Sequence, residues 1–170
     1  MSKSYKSKYS PRNPDKYKGD PQGIICRSSW ERTFCKWCDF REDVVKWSSE
    51  EMCIAYRDPV QKKTRRYFPD FIIQVRESDG LIVTKMIEVK PHKEVVGPER
   101  NPKRKTKSWL YAVQMYVNNQ AKWEAARKFC EKKGWQFVII TEYELGLKKR
   151  KWPVIIDLNN TDWTFCYGTA

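Results

Sequence analysis

Apolar residues recur at Trp30, Phe34, Trp37 and Cys38, the i, i+4, i+7, i+8 spacing of one helix face, with Ser28 ahead of them as an N-cap; the pattern predicts a helix over 27–39. Over 44–56 the pattern shifts to alternation, with Met52, Ile54 and Tyr56 apolar, and Arg57-Asp58-Pro59 stops it, predicting a first strand. An apolar and aromatic run over 66–75, the turn dipeptide Asp79-Gly80 and a second run over 81–89 predict two strands of an antiparallel hairpin. A helix over about 109–133 follows, with Ala125, Ala126, Phe129 and Cys130 on its inner face, a candidate break at Asn118-Asn119 and Gly134 closing it. The run 135–140 has strand length, Thr141 with Glu144 reads as the capping box of a last short helix ending at 148–151, and 152–165 offers one more strand.

Two stretches show no such pattern. Residues 1–22 hold three prolines and six basic against two acidic residues, and predict an irregular basic arm; residues 91–108, again with three prolines and six basic residues, predict a long basic loop. A chain of 170 residues supports one core, so the expected organisation is the arm at 1–22, a core over 23–146 and an extension over 147–170 packed on it.

Charge narrows the function. With 34 Lys and Arg against 21 Asp and Glu the net charge is +13, while hydrophobic residues still make up 40% of the chain, which excludes a wholly disordered protein and points to a polyanionic partner such as nucleic acid. No apolar run reaches membrane-span length and no apolar segment follows the Lys-rich start, so neither a signal peptide nor a membrane helix is expected. The six cysteines are then expected as reduced thiols in a cytoplasmic setting.

Spacing singles out three residues. Glu88 and Lys90 share a strand face, and the hairpin sets Asp70 opposite Val89 if its loop has two residues or opposite Glu88 if it has three; the second register, or a bulge at Pro69, leaves both carboxylates on one face. Paired carboxylates call for a cation, and Mg²⁺, with Mn²⁺ as its substitute, is the oxygen-seeking ion that also serves phosphodiester hydrolysis. Asp/Glu-x-Lys occurs at Glu88-Val89-Lys90 and Glu131-Lys132-Lys133, and Pro-Asp at Pro14 and Pro69, but a single pair of these falls on neighbouring strands. The bland alternative is a salt bridge on an edge strand.

Asp70, Glu88 and Lys90 in that order, with Glu31 on the preceding helix, resemble the PD-(D/E)XK nuclease superfamily. More narrowly, Asn13-Pro14, Lys16 to Asp20, Arg27-Ser28-Ser29-Trp30-Glu31-Arg32, Arg66-Tyr67-Phe68-Pro69-Asp70-Phe71, Glu88 to Glu94, Lys122-Trp123 with Ala125-Ala126, and Thr141-Glu142 resemble the head completion nucleases of T-even-type tailed phages, in order from about 11 to 145. The resemblance implies an α/β single domain with an αβββαβ restriction-endonuclease-like core, a mixed sheet flanked by helices. It also implies an endonuclease of virion assembly that acts at packaged DNA ends, in the host cytoplasm and then at the virion head or neck, beside portal or neck proteins. Asp70 and Glu88 become metal ligands, Lys90 the catalytic lysine and Glu31 an accessory ligand. Without the resemblance, Ser28 to Glu31 reads as a capping box, and Glu142 as structural.

Arg65, Arg66, Lys103, Arg104, Lys105 and Lys122, with His92 and Lys93 after the strand end, are expected to contact DNA through its backbone, without reading sequence. The competing class is a head-neck or DNA-end-binding protein that keeps the fold with little turnover. A zinc-containing regulator is weaker: Cys35-x-x-Cys38 has ligand spacing but lies on a helix, with Cys38 on its apolar stripe and no second pair following. One site per chain means that a double-strand break takes a homodimer or two visits.

Overall fold

The computed structural model describes residues 6–149. Its elements, in order, are β1 (Ser7–Lys8), a 3₁₀ turn (Pro14–Lys16), β2 (Ile25–Cys26), α1 (Ser29–Phe40), β3 (Val44–Ser49), β4 (Ile54–Asp58), β5 (Lys63–Tyr67), β6 (Phe71–Arg76), β7 (Ile82–Val89), α2 (His92–Val96), α3 (Lys107–Lys133) and β8 (Gln136–Ile140). The central sheet runs β3-β6-β7-β8, its first two pairings antiparallel and the last parallel. A parallel pair needs a crossover, and α3 supplies it. This is the expected mixed sheet flanked by helices.

Residue parity along β6 and β7 divides the core in two. Phe71, Ile73 and Val75 with Ile87 and Val89 face α1 and the N-terminal segment, packing on Phe34, Cys35 and Cys38. Ile72 and Met86 face the other way, toward α3 and the β4–β5 ribbon, where they meet Ala126, Cys130 and Tyr67. The even-numbered Asp70, Glu88 and Lys90 therefore belong to the α3 side.

Several expectations need correction. Residues 6–22, expected as an irregular basic arm, pack on the core: Tyr9 and Tyr17 are buried against Trp47, and β1 pairs with β2. The anchor is Asp39, fully buried at the end of α1, which accepts from Tyr9 Oη at 2.8 Å, Arg12 N at 2.7 Å and Asn13 N at 2.9 Å. Burial works against its charge, but these donors outweigh it and hold the carboxyl below the ordinary aspartate range. Asp39→Ala strands three donors and is expected to cost about 2–3 kcal/mol in urea unfolding.

The single strand foreseen over 44–56 is two strands in different sheets, because the chain leaves β3 at Glu50, in the left-handed region at φ 55°, and β4 pairs with β5 as a separate ribbon. The run 66–75 is likewise split between β5 and β6 by Phe68-Pro69-Asp70, where Pro69 has no N–H for a ladder. The segment 91–108 contains α2, one short helix, before Thr106 caps α3 by accepting from Trp109 N at 3.1 Å.

α3 runs unbroken through Asn118-Asn119, where Asn119 is buried, and ends at Gly134, which takes the left-handed conformation at φ 65° and donates to Cys130 O and Glu131 O. The last helix does not form within the described residues. Thr141 N and Oγ1 do donate to Glu144 Oε2, at 2.8 and 2.6 Å, but turns follow and Gly146 is left-handed. The expected strand over 152–165 lies outside the described residues. No helix among the described residues is long and apolar enough to cross a membrane.

Candidate active site

The β6–β7 connection sets the register. Glu77 N donates to Leu81 O at 2.8 Å around a Ser78-Asp79-Gly80 loop, with Gly80 at φ 86°. Phe71 pairs with Ile87, so one step further along the ladder Asp70 stands opposite Glu88, as the three-residue loop requires. Asp70 is held from both sides. Its Oδ2 accepts Val89 N–H at 2.7 Å, and its carbonyl accepts Glu50 N–H at 3.2 Å.

Glu88 is buried, with 3% of its surface exposed, on the sheet face shared with Lys90, whose Nζ lies 3.4 Å from Glu88 Oε1. The other oxygen, Oε2, accepts from Tyr67 Oη at 2.6 Å. Tyr67 reaches it from β5, and burial first, then the Glu88 charge, raises the phenol pKa so that it stays a donor. Nothing in the sequence marks this tyrosine for the site, since a contact from the ribbon to β7 leaves no trace in local spacing.

Electrostatics follow from the burial. Desolvation and then the Glu88 charge push the Asp70 carboxyl well above the ordinary range. Burial also works against the charge of Lys90, but Glu88 and Asp70 outweigh it and raise the ammonium pKa. The site therefore carries two carboxylates that repel each other beside one ammonium. Tyr67→Phe leaves Glu88 Oε2 without its donor and is expected to lower DNA cleavage about 10–100-fold in a plasmid-nicking assay.

Glu31 makes the capping box. Its carboxylate accepts Arg27 N–H at 2.7 Å and Ser28 Oγ–H at 2.9 Å, while Ser28 Oγ accepts Glu31 N–H at 3.1 Å. It is still near enough for its charge to raise Asp70. Among the described residues no three His, Cys, Asp or Glu side chains converge as a ready-made ligand cluster. Asp70 and Glu88 nonetheless fit a hard divalent ion, which binds through one or two carboxylates and completes its shell with water and substrate phosphate. A cation there would offset both the desolvation and the Glu88 charge that oppose ionisation of Asp70.

Arg65, Arg66 and Lys122 come together on one groove. His92 and Lys93 follow Lys90 after Pro91, where His92 N donates to Glu142 Oε2 at 2.7 Å and the His92 ring meets Tyr143 edge-on. Lys103, Arg104 and Lys105 are exposed between α2 and α3, away from any described contact with the carboxylates. Cys35 and Cys38 are buried in the α1 interface, with Cys35 Sγ 3.6 Å from Cys26 Sγ.

Residues 41–142, which carry the carboxylates and the lysine, match the model of the TnsA-like endonuclease N-terminal family. The chain belongs to that family. It is also 37% identical over 142 residues to the head completion nuclease of Enterobacteria phage T4, an alignment that covers 82% of this chain and 92% of that protein. The TnsA-like endonucleases are nucleases of the PD-(D/E)XK type, and the matched residues include Asp70, Glu88 and Lys90.

Proposed function

We propose that this protein is a divalent-metal-dependent DNA endonuclease of phage head completion, with Asp70 and Glu88 as the metal ligands, Glu31 as an accessory ligand and Lys90 as the catalytic lysine. The observation that carries the reading is the placement of Asp70, one residue before β6, one step beyond the Phe71–Ile87 pair and so opposite Glu88 of β7, with Lys90 Nζ 3.4 Å from Glu88.

When bound, Mg²⁺ or Mn²⁺ supplies a Lewis acid toward a phosphoryl oxygen and lowers the pKa of a bound water. Tyr67 fixes one oxygen of Glu88 and leaves the other beside Lys90. The Lys90 ammonium, kept charged by both carboxylates, stabilises negative charge gathering on the phosphate. Val89 N–H orients Asp70. Glu31 reaches a metal only by sharing or giving up its cap bonds. Arg65, Arg66, His92, Lys93, Lys103, Arg104, Lys105 and Lys122 hold the DNA backbone.

The phage T4 relative's name supports a role in head completion; we further propose that cleavage falls at or near packaged DNA ends, in the host cytoplasm during assembly and at the virion head or neck, beside portal or neck proteins. One site per chain makes a double-strand cut the work of a homodimer or of two visits.

Incubating the protein with supercoiled and linear DNA in Mg²⁺, Mn²⁺ or EDTA tests this reading. Cleavage with either ion and none in EDTA is expected. Equal cleavage in EDTA, or no cleavage under any condition, contradicts it.

A further inference from the structure

The β4–β5 ribbon stands apart from the central sheet and presents two kinds of surface along β5. Tyr67 turns inward to Glu88, while Arg66 before it and Phe68 after it are exposed. Phe68 keeps 44% of its surface in solvent, two residues before Asp70, and the Arg66 guanidinium lies 5.9 Å from its ring centroid. Single exposed apolar residues are ordinary. The surroundings of this one are not: it borders an open groove of about 570 Å³ whose other walls include Tyr56, Thr64, Arg65 and Lys122.

Three cations and no carboxylate line that groove. Asp58, beneath Arg65, is buried and accepts from Val60 N and Gln61 N, both at 2.9 Å, so its charge is turned inward; it also anchors Arg65 Nε at 3.3 Å. Lys122 reaches in from α3 over the Tyr56 ring. Cations alone would suit any duplex backbone. An exposed aromatic ring among them suits a base that is free to stack, and bases in an intact duplex are already stacked on each other.

We propose that the groove along β5 holds an unpaired segment of the DNA substrate, with Phe68 stacking on a base and Arg65, Arg66 and Lys122 receiving phosphates, so that the cut falls beside a single-stranded tail or opening. The proposal rests on the reading of Asp70 and Glu88 as the cleavage site, since Phe68 joins the groove to Asp70 along the chain.

Binding measured by fluorescence anisotropy in EDTA, with a blunt duplex and the same duplex carrying an oligo(dT) tail, tests it on the full chain. Wild type should bind the tailed duplex more tightly. Phe68→Ala should weaken tailed binding by roughly fivefold or more, and Phe68→Tyr should restore it. Equal affinity of wild type for both duplexes, or an undiminished tail preference in Phe68→Ala, overturns the proposal.

Should Phe68→Ala melt early, the exposed Arg66→Gln carries the test. Losing one single-strand phosphate contact lowers the slope of log affinity against log salt on the tailed duplex by about 0.7, and an unchanged slope overturns the proposal. The two readings fail separately. Tail-selective binding without cleavage in any divalent ion sinks the metal-site reading alone, whereas cleavage without tail selectivity sinks the groove alone.

Discussion

Lys90→Ala is expected to reduce DNA cleavage by about 10²–10³ while DNA binding remains close to wild type. The lysine is one of 34 basic residues, so its removal barely alters the electrostatic attraction that dominates backbone binding. It is also the cation nearest Glu88 among the described ion pairs, at 3.4 Å, and its pKa is raised by the two carboxylates it serves. Lys90→Arg should not rescue, because a planar fork cannot replace a point charge on a short reach. Single-turnover cleavage and anisotropy on the same protein sample separate the two effects. Phage particles assembled with Lys90→Ala extend the test: heads that fill but fail to complete make hydrolysis the function, whereas normal completion favours a structural role.

Asp70→Asn is expected to abolish cleavage and at the same time stabilise the metal-free protein by about 0.5–2 kcal/mol. Asparagine keeps an oxygen for Val89 N–H and removes the charge that burial and Glu88 oppose. The sign of the pH dependence follows. The Asp70 pKa is raised in the folded state, so folding retains a proton that the unfolded chain loses. Its contribution to stability is complete below the unfolded value of about 4 and is lost as pH rises through the raised folded value. Metal-free wild type should therefore lose stability on this account from about pH 4 upward, and Asp70→Asn should lack that component. Urea midpoints across pH in EDTA measure it.

What the sequence made legible was local. The helix of α1 and its Ser28 cap, the hairpin turn at Asp79-Gly80 and the Gly134 terminus of α3 all follow from spacing within a few residues, whereas spacing left the hairpin loop at two or three residues and the ladder itself decides for three. Long-range pairings left no such trace. Tyr9 and Tyr17 read as part of a basic arm because their partners, Asp39 and Trp47, lie about thirty residues away, and Tyr67 read as one more aromatic of a strand because Glu88 lies on another. The split of 44–56 into two sheets turns on one left-handed residue, Glu50, that no pattern of apolar positions marks. Glu31 shows the reverse case: the local reading as a helix cap describes its bonds, and the family resemblance is what assigns it a ligand role.

The central claim is that Asp70 and Glu88 share one divalent ion. Anomalous scattering from a crystal of the protein soaked with Mn²⁺ tests it most directly. A peak within about 2.5 Å of an oxygen of each carboxylate is expected, with Glu88 Oε2 still bound to Tyr67 Oη. A peak elsewhere, or an ordered site with both carboxylates in place and no ion between them in protein that cleaves DNA with Mn²⁺, would contradict it.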